Sequence, residues 1–210
     1  MKNVMLDLET FGNTSDSVIV AIGAVRFSKE GISDDSFYVN VDPNDCQDHG
    51  LTISASTVLW WLEQSEEARQ AITKPKKISL KDALAGFSHW MKCMGDDDGP
   101  DRKERPRRRA EDPLLDRTGQ RGTNYNSQTI KVWGNGSDFD NKLLSTAYEK
   151  IGWKHLIPWN FRNNRCYRTV KNLYPSVKMK RSGDHHNALD DAKSQANHLL
   201  ELLKIGDITI

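Results

Sequence analysis

Three places in this chain combine acids and imidazoles at spacings that could do chemistry. The first is Asp7-Leu8-Glu9-Thr10, which follows the apolar run Val4-Met5-Leu6 and so ends a buried strand. Side chains two apart on a strand share a face, so Asp7 and Glu9 project together while Leu6 and Leu8 point the other way. Adjacent carboxylates repel each other and lose solvation. A hard cation such as Mg²⁺ or Mn²⁺ between them relieves both costs. A pair of solvated surface acids would read the same way. The second place is Trp133-Gly134-Asn135-Gly136-Ser137-Asp138-Phe139-Asp140, where a strand ends in glycines and acids open a helix. Helix capping alone accounts for one of Asp138 and Asp140. The third is His185-His186-Asn187-Ala188-Leu189-Asp190-Asp191, again at a helix start. Helical geometry brings residues four apart close to alignment, which pairs His186 with Asp190.

The elements that must carry these residues can be read from periodicity. After Asp7 and Glu9 comes the turn Phe11-Gly12-Asn13. A strong strand follows from Val18 to Phe27, then a turn at Lys29-Glu30-Gly31 and a third strand from Phe37 to Val41. Three strands joined by short turns predict an antiparallel meander. From Ser54 the pattern becomes helical, with Val58, Trp61 and Leu62 on one face. Ser79 caps a second helix that runs to Lys92. Thr129 to Trp133 is a buried strand, and helices follow at about Phe139–Ile151, Thr169–Tyr174 and Asn187–Lys204, the middle one stopped by Pro175. Strands first, then alternating helix and strand, predict an α/β fold with a mixed sheet.

Composition narrows the field. A chain of 210 residues fits a single domain with a real core. The stretch at about 95–128 breaks the pattern, because residues 96–121 hold eight Lys or Arg and eight Asp or Glu. Such a segment buries too little apolar surface to offset its ordering entropy, and it reads as a mobile charged insertion. Its cluster from Arg105 to Arg109 could touch a phosphate backbone, although the neighbouring acids nearly cancel it. The net charge of +1 gives no global field for nucleic acid, so any such contact must be local. Cys46, Cys93 and Cys166 are odd in number and lack metal-site spacing, which fits reduced thiols in a cytoplasmic protein. No apolar run reaches the length of a membrane span, and the N-terminus passes straight into the first strand, so neither a membrane anchor nor a signal peptide is expected.

Taken together, Asp7-Leu8-Glu9-Thr10, the strand–helix junction with Phe139-Asp140, and His186-Asn187-Ala188-Leu189-Asp190-Asp191-Ala192 resemble the three motifs of the DEDDh exonucleases. Members of this family have a ribonuclease H-like fold. The Thr57-Val58-Leu59-Trp60-Trp61 stretch and Trp133-Gly134-Asn135-Gly136 are most similar to the group containing phage exonucleases and RNase AS. The resemblance implies a ribonuclease H-like mixed five-stranded sheet flanked by helices. It implies a 3′-5′ exonuclease acting on the 3′ end of single-stranded RNA or DNA and releasing nucleoside 5′-monophosphates, with a catalytically inactive nucleic-acid-binding module as the alternative. Asp7, Glu9, Asp140 and Asp191 would hold two divalent cations, Mg²⁺ or Mn²⁺, and His186 would be the general base. The family spacing selects Asp191 over Asp190 and places His186 on the loop before the helix. The Phe-Asp pair followed by Leu143-Leu144 favours Asp140 over Asp138. Dense negative charge around His186 should favour its protonated form, so activity should rise with pH through its titration. Expected substrate contacts are Thr10, Phe11, Gly12, Asn135 and Trp61, with Gly12 admitting close approach of the terminal nucleotide and Phe11 or a tryptophan stacking a base. Relatives often form homodimers, so the resemblance leaves a homodimer open for this chain without selecting it.

Overall fold

The computed structural model describes residues 2–74, 76–92 and 129–208, so the charged stretch expected at about 95–128 falls wholly outside the described residues. The centre of the fold is β1 (Asn3–Thr10), and its two faces divide the core. Val4, Leu6 and Leu8 join one cluster with residues of α4 (Leu80–Lys92) and α5 (Lys142–Lys150). Met5 joins a second, with Ala192, Ala196 and Leu199 of α7 (Ala188–Ile205). The period of two along β1 therefore puts Asp7 and Glu9 on the face that α7 covers.

Among the described residues the sheet is mixed and six-stranded, in the order β4 (Lys77–Ile78), β3 (Gly31–Val41), β2 (Ile19–Ser28), β1, β5 (Lys131–Gly134), β6 (Asn164–Cys166). The expected meander is present: β2 and β3 run antiparallel in turn. Strands β5 and β6 then add on the far side of β1 in parallel. The two-residue strand β4 extends the other edge beyond the five strands anticipated. Strand β3 also begins six residues earlier than its apolar pattern announced. Its first half carries Ser33, Asp34, Asp35 and Ser36, which give no alternation. Asp35 is instead held by the buried Arg26 guanidinium and by the indole N–H of Trp90 at 2.9 Å.

Helices α1 (Pro43–Asp48), α2 (Ala55–Leu62) and α3 (Glu66–Thr73) lie between β3 and β4. The helix expected from Phe139 starts differently. Ser137–Asn141 form one wide π-helical turn before α5. Asn141 fixes that turn by donating to the Val132 carbonyl at 2.8 Å and to Asn164 Oδ1 at 3.1 Å. Such wide turns re-aim side chains and recur at functional sites. Helix α6 (Tyr167–Leu173) follows β6 directly. Cys46 and Cys166 are free thiols, and among the described residues no helix is long and apolar enough to cross a membrane.

Candidate active site

Four acids from three separate regions meet where β1 ends. Asp7 and Glu9 come from the strand, Asp140 from the π turn, and Asp191 from the first turn of α7. Ligand oxygens of Asp7, Glu9 and Asp191 lie within 4.8 Å of one another. Asp140 completes the group beside Asp7, which feels the Asp140 charge more strongly than any other. Asp140 is 2% exposed, whereas Asp138, four residues after Gly134, faces solvent. The backbone N–H groups of Leu8 and Asn135 donate to the Asp140 carboxylate, yet its Oδ2 is buried with no hydrogen-bond partner.

Helix α7 can sit this close because Gly23 of β2, the register partner of Asp7, has no side chain. A Cβ there would lie 2.2–2.4 Å from backbone atoms of Ala188 and Leu189. Asn187 caps the helix, its Oδ1 accepting from the N–H groups of Leu189 and Asp190 at 3.1 and 3.3 Å. His186 is thus on the loop ahead of the helix, with φ at +64°, and its own N–H donates to Asp191 Oδ2 at 3.1 Å. Asp190 turns the other way and accepts from the Asp184 N–H at 3.0 Å. The loop, not the helical face, therefore joins His186 to Asp191.

Burial sets the electrostatics. Desolvation first, then the mutual repulsion of the acids, pushes Asp7 well above the usual carboxylate range and Glu9 up to about 8. Burial also raises Asp140 to about 7, against the pull of its backbone N–H donors and of the Arg168 guanidinium. At neutral pH such a pocket must keep protons or take up a cation. Hard oxygen donors, a bare buried Oδ2 and carboxylates that share one space suit a divalent cation. His186 departs from expectation, because its pKa is lowered. Burial is the main cause and neighbouring His185 adds to it, with Asp191 opposing. The Trp60 and Trp61 rings approach His186 edge-on at 5.0 and 5.7 Å, and His185 lies 3.7 Å away. These rings strip water from the imidazole, an effect that outweighs the nearby negative charge.

The expected substrate contacts divide. Trp61 is 3% exposed and its indole N–H donates to the Thr10 carbonyl at 2.9 Å, so it braces the loop and offers no face to a base. Trp60, at 41% exposed, is the tryptophan open to solvent beside His186. Gly12 is buried, and a Cβ there would meet Ser17 Oγ at 2.3 Å. The turn packing by itself requires its glycine. Thr10 is buried with its hydroxyl donating to the Gly12 carbonyl at 2.6 Å. Phe11 is half-buried against the core. Asn135 keeps a buried Oδ1 without a hydrogen-bond partner next to Asp140.

Sequence reasoning missed two residues that hold the acids. Gln195 donates through Nε2 to Asp7 Oδ1 at 2.7 Å. Its position four after Asp191 puts it on the same helical face, a signal that was available. The Arg181 guanidinium pairs with Asp191 Oδ1, and no spacing rule would have found a contact from an irregular loop.

Comparison with known proteins agrees with this arrangement. Residues 2–203 match the family model described as the 3′-5′ exoribonuclease Rv2179c-like domain. Among curated proteins, no sequence matches. The nuclease domain of 3′hExo, a DEDDh family member, bound to rAMP, is similar with a TM-score of 0.56 and 16% identity, over 97% of this chain and 92% of that one. Cell-death related nuclease 4 (CRN-4) is similar with a TM-score of 0.51 and 13% identity, over 97% of this chain and 64% of the longer one. At these identities the two structures share the fold. The family match spans nearly the whole chain and includes all four acids and His186. The chain accordingly belongs to the Rv2179c-like 3′-5′ exoribonuclease domain family, and is a 3′-5′ exonuclease.

Proposed function

We propose that this exonuclease shortens single-stranded RNA from its 3′ end, releasing nucleoside 5′-monophosphates with the help of two Mg²⁺ or Mn²⁺ ions. Asp7, Glu9, Asp140 and Asp191 hold the ions. Bound cations would relieve negative charge on the attacking and leaving oxygens and make water a better nucleophile. His186, kept neutral by its aromatic surroundings, takes the proton of the attacking water at a ring nitrogen. Gln195 orients Asp7, and the Asp191 side chain is oriented by the His186 N–H. Asn135, beside Asp140, and Trp60, beside His186, serve the terminal nucleotide. RNA is favoured over DNA because the family is described by its exoribonuclease activity. A single catalytic domain with a charged insertion, pairing as a homodimer in the cytoplasm, completes the reading; light scattering and cell fractionation check the last two.

The observation that carries this proposal is the buried Asp140 Oδ2 without a partner, set among three more acids whose pKa values rise or whose oxygens converge. The test is a labelled RNA strand and its DNA counterpart incubated with Mn²⁺, with products sized over time. Stepwise shortening of RNA, abolished by chelation and by Asp7→Ala in a protein that remains folded, is the expected result. Binding without shortening would identify an inactive module instead.

A further inference from the structure

Between Glu149 and Asp184 the chain has 34 residues with nine Lys or Arg and no Asp or Glu. Because the whole chain carries only +1, the rest sums to −8. This basic segment was hidden by the overall balance. Among the described residues, ion pairs engage just two of the nine: Lys154 with Glu149, and Arg181 with Asp191. A run of like charges without acids to balance it costs self-repulsion unless an external polyanion neutralises it.

Its place in the fold gives that charge a direction. Two of the four acids, Asp191 and Asp140, have a guanidinium from this segment beside them. Arg181 reaches Asp191, and Arg168 stands with its Cζ 3.8 Å from where a Cβ on Gly136 would be, over the turn that presents Asp140. From Arg168 the segment leads back along the sheet edge. Strand β6 is the outermost strand, parallel to β5, with Cys166 level with Gly134 at the active-site end. Three residues at roughly 3.3 Å each carry the edge about 10 Å away from the pocket. There Phe161 is 71% exposed, with the Arg162 guanidinium 5.0 Å from its ring centre. An exposed aromatic ring beside a guanidinium is a stacking surface for a nucleobase. Arg165 lies between these two places on β6.

We infer that the surface formed by residues 160–181 is the track on which the single strand lies upstream of its 3′ end, with Arg165, Arg168, Lys171 and Lys180 facing phosphates and Phe161 stacking a base. The inference rests on the exonuclease reading above and goes beyond it by assigning the path of the uncleaved strand. Electrostatic contacts of this kind act on each phosphate independently of sequence, and they appear in the salt dependence of binding.

The experiment measures binding of a fluorescent single-stranded RNA of about 10 nucleotides, its 3′-terminal linkages made phosphorothioate to resist cleavage. The full chain is compared with a triple variant, Arg165→Gln, Lys171→Gln and Lys180→Gln, across a range of salt. Losing three phosphate contacts should lower the slope of log K against log salt by about 2, at about 0.7 per contact on a single strand. The dissociation constant should rise at least tenfold near 0.1 M salt, and Phe161→Ala alone should weaken binding by about 5-fold or more. The loss should be much smaller for a dinucleotide, which is too short to reach along the track. Lys81→Gln, on the exposed face of α4, is the charge control. Unchanged slope and affinity in the triple variant would overturn the track, as would equal losses for the dinucleotide and the long strand, or an equal effect of Lys81→Gln. Shortening of an unmodified strand by the native protein is read separately, so the exonuclease reading can stand while the track falls.

Discussion

Gln195 is the residue on which the geometry of Asp7 most depends. The Asp7 carboxylate, raised by desolvation and by three neighbouring acids, has one side-chain donor to lower it again, the Gln195 amide at 2.7 Å. The other amide atom, Oε1, is buried without a hydrogen-bond partner, so the side chain is held by this one bond and by packing. Hydrogen-bond donors that orient a metal-binding carboxylate commonly contribute about 10–100-fold to metal affinity or activity. Gln195→Leu keeps the volume and removes the donor. Its expected effect is a Mn²⁺ affinity lowered about 10–100-fold by titration calorimetry, with partial rescue by Gln195→Asn if the shorter amide can still reach. An unchanged affinity would remove Gln195 from the site. At this scale the sequence was informative about residue types and poor about orientation. The Asp7–Glu9 pair follows from strand periodicity, but which tryptophan is open and which is buried depended on the turn of α2. The lowered pKa of His186 depended on rings brought from a helix more than a hundred residues away.

Helix α7 is the element that converts separate motifs into one pocket, and Gly23 is the condition for its position. Strand β2 presents Gly23 directly across from Asp7, and the backbone of Ala188 and Leu189 fills the space a side chain would take. Backbone cannot move aside as the tip of a side chain can, so Gly23→Ala must shift the start of α7, and with it His186 and Asp191. Overpacking of this kind costs about 1–3 kcal/mol. Gly23→Ala should lower the melting temperature and reduce turnover disproportionately, because small displacements of catalytic groups are expensive. A variant with native turnover and melting temperature would mean that α7 tolerates the shift. Long apolar elements such as β1, β2, α4 and α7 were legible because their periods are strong. Strand β6 was not, since Asn164-Arg165-Cys166 has no apolar alternation and pairs on one edge only. The π turn was invisible for a related reason: it is set by Asn141 bridging Val132 and Asn164, a tertiary contact that no local pattern encodes.

For the molecule as a whole, the pocket sets a debt in stability that depends on pH and on cations. In the unfolded chain Asp7, Glu9 and Asp140 titrate near the usual 4; in the fold all three are raised, Glu9 to about 8 and Asp140 to about 7. Between those limits the native state binds more protons than the unfolded state, so stability without metal is greatest at low pH and falls as pH rises through the folded pKa values. A cation that binds only the folded pocket displaces those protons and adds stability of RT ln(1 + [L]/Kd), about 2.7 kcal/mol at a hundredfold excess over Kd. Proton competition weakens such binding at low pH. The chelated protein should therefore lose melting temperature from pH 5 to pH 8, by about 2–4 °C for each kcal/mol in a chain of this size. Added Mn²⁺ should restore it, by an increment that grows with pH. Asp140→Asn removes one buried charge and should flatten the pH dependence of the chelated protein while shrinking the Mn²⁺ increment. Scanning calorimetry across that range decides the matter. A chelated protein whose stability is level from pH 5 to 8, or a Mn²⁺ increment that does not change with pH, would mean that the four acids do not share one desolvated space.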